Sequence, residues 1–437
     1  MHLKPFFAVF LALGLFLPFI QHNTFAQTSM EISLDEAVNL ALEYNLSLKK
    51  NKIDLASSGY SEKRLWAEIF PAITASLGSR YETSFFDSSG SIFRNSAGIN
   101  ITVGLNAGIP YAMRSIKLAH QSNILKYEDA RNQLSIQVTK KYYSLVAEKN
   151  NIVLLEEILN LAQRQYERNQ TLFRNGIIRE LVVIQSALAL ENARYNLSAA
   201  NISYMNSTAE FLAMLGIEQS TGVILSTEAD IKRIYADSQA LISEYLPKRP
   251  DIVSSIQEID RLIYAQKQLI WKNRAPSLSL SLDWGASKFD PFTDTLSASA
   301  QLRIPIDPLV PGTSGHQSIG RSKDAVEKAR LDLEITENAA KTQIRSLAAL
   351  LYNSWDSIVI ARLGYDAAQR NYQLTEQAFN NGTVEYLILE DARNSMIDAR
   401  QRLLQSELAY FNMILDLSAA INVDWNYLIQ TYGVQSE

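Results

Sequence analysis

The chain has 437 residues, a formal charge of −5, 17 Gly, 11 Pro and no Cys. So long a chain with so little Gly and Pro is mainly helical, and the lack of Cys excludes disulfides and thiol-ligated metals. With 41 Lys and Arg against 46 Asp and Glu there is no basic footprint for nucleic acid.

Residues 1–26 predict a secretory signal. Lys4 precedes an apolar run from Phe6 to Ile20 that is short for a membrane span, and Thr24-Phe25-Ala26 offers small residues for processing. An uncleaved anchor helix is the competing reading. Pro18 inside the run and the absence of a basic flank after it argue against that reading. The mature chain is expected to begin near Gln27.

Helix is expected from Ser33 to Phe70. Ser33 with Glu36 three residues on has the spacing of a capping box, and Leu34, Ala37, Val38, Ala41 and Leu42 share one stripe. After Pro71, Ile73, Ala75, Leu77, Tyr81 and Phe85 alternate with polar residues. From Ile99 to Ile109 every odd position is apolar and every even one is Asn, Thr or Gly. Period-two patterning predicts strands over 72–86 and 97–109, with a loop from Asp87 to Ser96 between them and Pro110 closing the second.

From Met113 to Asn175 there is neither Pro nor Gly. Val138, Leu145, Ile152, Leu159, Tyr166 and Phe173 recur every seven residues, the period of a coiled-coil seam. Such a helix is a rod about 90 Å long. Asn175-Gly176 breaks it, with the Gly suited to a positive φ, and a second helix returns to Gly216. Residues 217–248 are mixed and read as a lateral region. Helix resumes at Arg249-Pro250-Asp251-Ile252 and runs to Arg274. Two further alternating stretches predict strands over 277–287 and 296–304, linked by Lys288 to Thr295. Pro305 closes the last strand, and an irregular segment spans Asp307 to Gly320.

The second half then repeats the first. Ile344, Leu351, Ile358, Tyr365, Tyr372 and Phe379 each stand 206 positions after a seam residue of the first half, and Phe379-x-Asn381-Gly382 repeats Phe173-x-Asn175-Gly176. The chain therefore reads as a tandem duplication, 27–216 and 249–421, with a tail over 422–437.

The strands suit lipid on one face and water on the other. A tilted membrane-spanning strand needs about 9–11 residues, and Ile101, Val103, Leu105, Leu280, Leu282 and Leu302 form the expected lipid-facing set. A soluble sheet with one buried face shares the pattern. Phe85, Phe86, Phe93, Trp284, Phe289 and Phe292 fit an interfacial girdle or, alternatively, packing within loops. Four strands cannot close a barrel, since the smallest barrels have about eight, and an open edge in lipid is costly, so several chains are required.

At this point the chain resembles the outer-membrane efflux protein family, the TolC-like channels. The likeness spans the mature chain and rests on Ser33-Leu34-Asp35-Glu36-Ala37, the two halves, Arg249-Pro250-Asp251-Ile252 and the turns at Gly176 and Gly382. It implies a mainly α protein with a membrane β-barrel portion. Long antiparallel hairpins form an α-barrel, and a homotrimer completes a barrel of twelve strands in outer-membrane lipid. It also implies that the periplasmic end, with tips Asn175, Gly176, Asn381 and Gly382, docks on an adaptor (membrane fusion) protein and an inner-membrane pump. The expected role is an exit duct for efflux or type I secretion; the alternative is a non-conducting periplasmic coiled-coil scaffold.

The departures from the family pattern are at the tips and in the first helix. Members often carry an Asp six residues after each turn Gly, where this chain has Val182 and Ile388, which puts a polar closed-state clasp in doubt. Asp391 matches a second acidic position that lines the pore entrance in some members, with Glu390 beside it. The family's Asn-Pro is Asn45-Leu46 here. No enzyme motif is present: His120 and His316 stand in unlike contexts, and no cofactor is expected.

Overall fold

The computed structural model describes residues 29–82, 92–218, 222–225, 232–289 and 292–434. The expected signal segment, Phe85 and Phe86 lie outside these residues. The first repeat contains β1 (Ser29–Ile32), α1 (Leu34–Tyr44), α2 (Leu46–Lys63), β2 (Ala72–Glu82), β3 (Ile92–Asn106), α3 (Ile109–Arg174) and α4 (Glu180–Leu215). A lateral region with β4 (Gly222–Leu225), β5 (Arg233–Ile234) and α5 (Ser238–Tyr245) follows. The second repeat holds α6 (Pro250–Arg274), β6 (Ser277–Phe289), β7 (Phe292–Arg303), α7 (Ser314–Asn380) and α8 (Tyr386–Ile421), and α9 (Trp425–Tyr432) and β8 (Gly433–Val434) follow as the last of the described elements.

Several boundaries differ from the sequence reading, each for a local reason. The expected first helix breaks at Asn45, whose Oδ1 accepts from the Leu48 N–H at 3.1 Å and so starts a new helix. The second strand begins at Ile92, inside the expected loop, because Asn95 and Ser96 pair in register with Ser79 and Gly78. Backbone pairing needs no apolar side chains, so polar composition concealed it. That strand ends at Asn106 rather than at 109, and Pro110 sits in the first turn of α3, where its missing N–H costs nothing. Likewise β6 and β7 run into the expected Lys288–Thr295 link, and α7 starts at Ser314, within the expected irregular segment, with the Thr313 hydroxyl capping it.

β1 pairs with β4 and β5 with β8, while β2, β3, β6 and β7 form one four-stranded antiparallel sheet in that order. Each strand of that sheet continues one helical column. β3 leads into α3 and β7 into α7; α2 leads up to β2, and α6 leads up to β6. The short columns are completed from below. The Asn45 Nδ2 donates to the Met214 carbonyl at the end of α4, and the Arg249 Nη1 donates to the Ala420 carbonyl at the end of α8, each bond joining a lower helix to the upper one above it. The helices are thus ordered like the strands. α3 and α4 share the Leu155, Ile158, Ala162, Leu190 and Ala193 cluster. α3 meets α8 through Lys140–Asp416 at 2.5 Å and Tyr143–Phe411 at 4.3 Å between ring centroids. α8 meets α7 through Trp355–Tyr410, ring centroids 5.3 Å apart.

The densest core lies midway along the columns, where the lateral region wraps them. Tyr142, Phe211, Tyr410 and Phe411 are fully buried there, and the Tyr410 hydroxyl accepts from the Ile234 N–H at 2.8 Å and donates to the Lys232 carbonyl at 3.0 Å. Burial lifts the Tyr410 pKa to about 12, which keeps that donor protonated. Val138, Leu145, Ile152, Ile344, Leu351 and Ile358 of the heptad seam are buried. Farther down, Leu159, Tyr166, Tyr365, Tyr372 and Phe379 are half-buried and Phe173 is exposed. The heptad seam itself is therefore less enclosed toward the tips, where Tyr386, Leu389 and Arg393 of α8 stay buried.

Candidate functional site

The sheet sorts its side chains into two classes without exception across its middle rows. Ile73, Ile101, Leu282 and Ala298 form one cross-strand row; Val103, Leu280 and Ala300 form the next, and Leu105, Leu278 and Leu302 the one below. All six residues of the expected lipid-facing set share this apolar face. Trp284 stands on it too, its indole N–H donating to Asp294 at 3.3 Å toward the far end of the sheet. The opposite face carries a polar network over three strands. The Asn100 amide donates to the Asp283 carboxylate, the Thr102 hydroxyl donates to Asn100 at 2.8 Å, and Ser281 bonds both Asp283, at 3.1 Å, and Ser299, at 2.7 Å. β2 and β7 are the two edges of this sheet, each paired on one side only among the described residues. No described helix is long and apolar enough to cross a membrane.

At the opposite end of the columns, both hairpins turn through the same motif. Asn175 and Asn381 cap their helices, and Gly176 and Gly382 adopt φ of +73° and +74°. The Ile177 N–H reaches the Leu172 carbonyl and the Thr383 N–H reaches that of Ala378, while each Gly N–H bonds the Phe carbonyl three residues back. This is the Schellman arrangement, and it requires the left-handed conformation that Gly adopts freely. A Cβ at either Gly would meet nothing within 4 Å, so conformation and not space demands glycine there.

The structure separates the two acidic candidates. Asp391 is exposed, on the side of α8 that carries Leu387 and Ile388 and faces away from α7. Glu390 turns inward to a buried ion pair with Arg393 and accepts from the Tyr386 hydroxyl at 3.1 Å. On α7, Tyr372 donates to Glu376 at 3.1 Å beside them. Burial and the nearby carboxylates push both phenols up, so they stay donors. The sequence reading missed this cluster, treating Tyr372 as seam packing. The Glu390-x-x-Arg393 spacing on a seam of Tyr386 and Leu389 was the available signal. The first repeat has Gln170, Ile184 and Ala187 in place of Glu376, Glu390 and Arg393, so the charged cluster belongs to the second hairpin alone.

His120 bonds Ser58 at 2.9 Å between α2 and α3. His316 is in the first turn of α7. Among the described residues no group of His, Cys, Asp and Glu is placed to hold a metal.

The family described as outer membrane efflux protein matches residues 37–217 and 241–423, one match for each repeat. No curated protein sequence matches the chain. Among solved structures, the Campylobacter jejuni outer-membrane channel CmeC superposes with a TM-score of 0.74 at 18% identity, covering 91% of this chain and 88% of CmeC. CusC, solved in a study of folding and transmembrane channel formation, gives 0.74 at 16% identity over 90% of this chain and 92% of its own. The outer membrane protein VceC of Vibrio cholerae gives 0.70 at 14% identity over 90% and 96%. At these identities the likeness is one of fold: a TolC-like chain of long hairpins and a sheet.

Proposed function

Because this chain belongs to the outer membrane efflux protein family, we propose that it is the outer-membrane exit duct of an efflux or type I secretion machine. Three copies close their sheets into a twelve-stranded barrel in lipid, and the helical columns continue that barrel into a periplasmic tube. The hairpin tips then face a periplasmic adaptor and an inner-membrane pump, and Asp391 lines the entrance. One observation carries this reading: the strands and the columns beneath them follow the same order, so whatever closes the sheet also closes the helices. An apolar face on one side and a hydrogen-bonded polar face on the other match lipid outside and water inside. Neither edge strand has a partner for its outer groups among the described residues, a cost of several kcal/mol per unpaired group in lipid.

The test is fractionation followed by native mass. The protein, processed near Gln27, is expected in the outer membrane at three times the mass of one chain. A monomer in the soluble periplasmic fraction overturns the proposal.

A further inference from the structure

At the level of the dense core and just below it the long helices lie in the row α4-α3-α8-α7, so α4 and α7 are its two edges there; close to the tips Arg168 of α3 also reaches Asn380 of α7. Each edge carries an apolar stripe with no partner among the described residues. On α4, Leu181, Ile184, Leu188, Tyr195 and Ile202 are exposed, roughly opposite Ser186, Leu190 and Ala193, which are buried against α3. On α7, Ile360, Leu363 and Leu374 are exposed, roughly opposite Leu351 and Ile358, which are buried. Tyr195 is 73% exposed, Ile360 71% and Leu363 64%, far too open for side chains with a partner in their own chain.

The heights of the two stripes agree. Tyr195 stands nineteen residues after the turn at Gly176, and Leu363 nineteen before the turn at Gly382. Ile184 and Leu374 are each eight residues from their turns. Ile360, Leu363, Gly364 and Ala367 stand at i, i+3, i+4 and i+7, the four corners of a hole that receives one knob from a facing helix. Gly364 deepens that hole. Glycine is unfavourable in a helix interior, and a Cβ at 364 would meet nothing within 4 Å, so the chain by itself has no use for glycine there.

The surroundings of Tyr195 and of the hole are both charged. Glu191 and Arg194 flank Tyr195 and pair with each other at 2.8 Å, and Asp366 and Arg370 flank the hole two to three residues closer to their turn, so knob and hole each sit in a border of mixed charge.

We infer that Tyr195 of one copy inserts into the Ile360–Leu363–Gly364–Ala367 hole of the next copy, and that this contact sets the register of the helical ring. The duplication does not supply knob and hole twice. The position matching Tyr195 in the second repeat is Gln401, and the positions matching the hole are Leu154, Glu157, Ile158 and Leu161, with Ile158 buried in the α3–α4 core. Knob and hole therefore occur once each, on opposite edges. The contact is head-to-tail, the kind that closes into a ring by rotation. It rests on the assembly of several copies proposed above, and names the side chains that join them.

Since the chain has no Cys, paired cysteines test this directly in outer membranes carrying the full-length protein. Tyr195→Cys with Leu363→Cys, treated with a short bismaleimide, is expected to give covalent dimers and trimers on a denaturing gel, with neither single variant doing so. A native mass of three chains without these products overturns the register while leaving the trimer standing. Preferential linking of Leu188→Cys to Leu363→Cys shows a one-heptad slip and also overturns it. A monomeric native mass defeats the assembly itself. As a second arm, Gly364→Leu fills the hole and is expected to abolish the trimer while Gly364→Ala keeps it; an undiminished trimer in Gly364→Leu contradicts the inference.

Discussion

At the scale of single residues, α8 carries two neighbouring carboxylates in different settings, Asp391 exposed and Glu390 paired with Arg393. Three Asp391 side chains around one entrance would concentrate cations and repel anions. Asp391→Asn is therefore expected to reduce cation preference, read as a reversal potential in a salt gradient, with little change in trimer stability. Glu390→Gln is expected to leave selectivity in place. The opposite pattern would mean that the helix faces are assigned wrongly. Arg393→Ala should strand Glu390 in a mostly buried setting and cost about 2–4 kcal/mol of local stability, visible as faster amide exchange in the first turns of α8. Gly382→Val forces a β-branched residue into a left-handed turn, costing at least about 1–2 kcal/mol. Export should fall while barrel assembly persists. The sequence placed Asp391 and Glu390 side by side and could not separate them, because the 100° between neighbours needs a known seam to be turned into inward and outward. The seam came from Tyr386, Leu389 and Arg393, and Arg393 does not read as a seam residue in composition.

At the scale of elements, the strands were legible because Ile99 to Leu105 alternates strictly, and the observed register keeps Ile101 beside Leu282 and Val103 beside Leu280. Val103→Arg is expected to cost about 2–4 kcal/mol if it meets lipid near the midplane. Thr102→Arg, on the polar face, should be far milder; equal losses in heat-resistant trimer would refute the facing. Strand ends were less legible, since Asn95 and Ser96 pair without any apolar signal. The helical joints rest on polar side chains. Burial works to raise the Asp251 carboxyl, but the Arg249 hydrogen bonds and charge, with the Ile252 N–H, hold it below the usual carboxylate range. A lowered folded pKa means that its stabilisation is present above about pH 4 and is lost as pH falls through the folded value. Asp251 is 43% exposed, so solvent screening limits the effect. Asp251→Asn should cost about 1 kcal/mol at pH 7 and nothing below the titration, checked by thermal melts across pH.

At the scale of the whole molecule, the duplication made most of the architecture readable. A shared offset of 206 tied the two seams and both Asn-Gly turns together before any contact was known. The alignment of strands with columns was not readable, because it depends on bonds between residues far apart in sequence, Asn45 with Met214 and Arg249 with Ala420. That alignment turns an open sheet and an open row of helices into one wall with two edges, and it underlies the claim that copies of this chain enclose a continuous passage. Single-channel recording of the detergent-extracted assembly in planar bilayers tests that claim most directly. Discrete, uniform conductance steps, with a cation preference that falls in Asp391→Asn, are the predicted result. An assembly of three chains that inserts but never conducts, with wild-type tips and with Gly382→Val alike, would contradict a duct and return the protein to the scaffold reading.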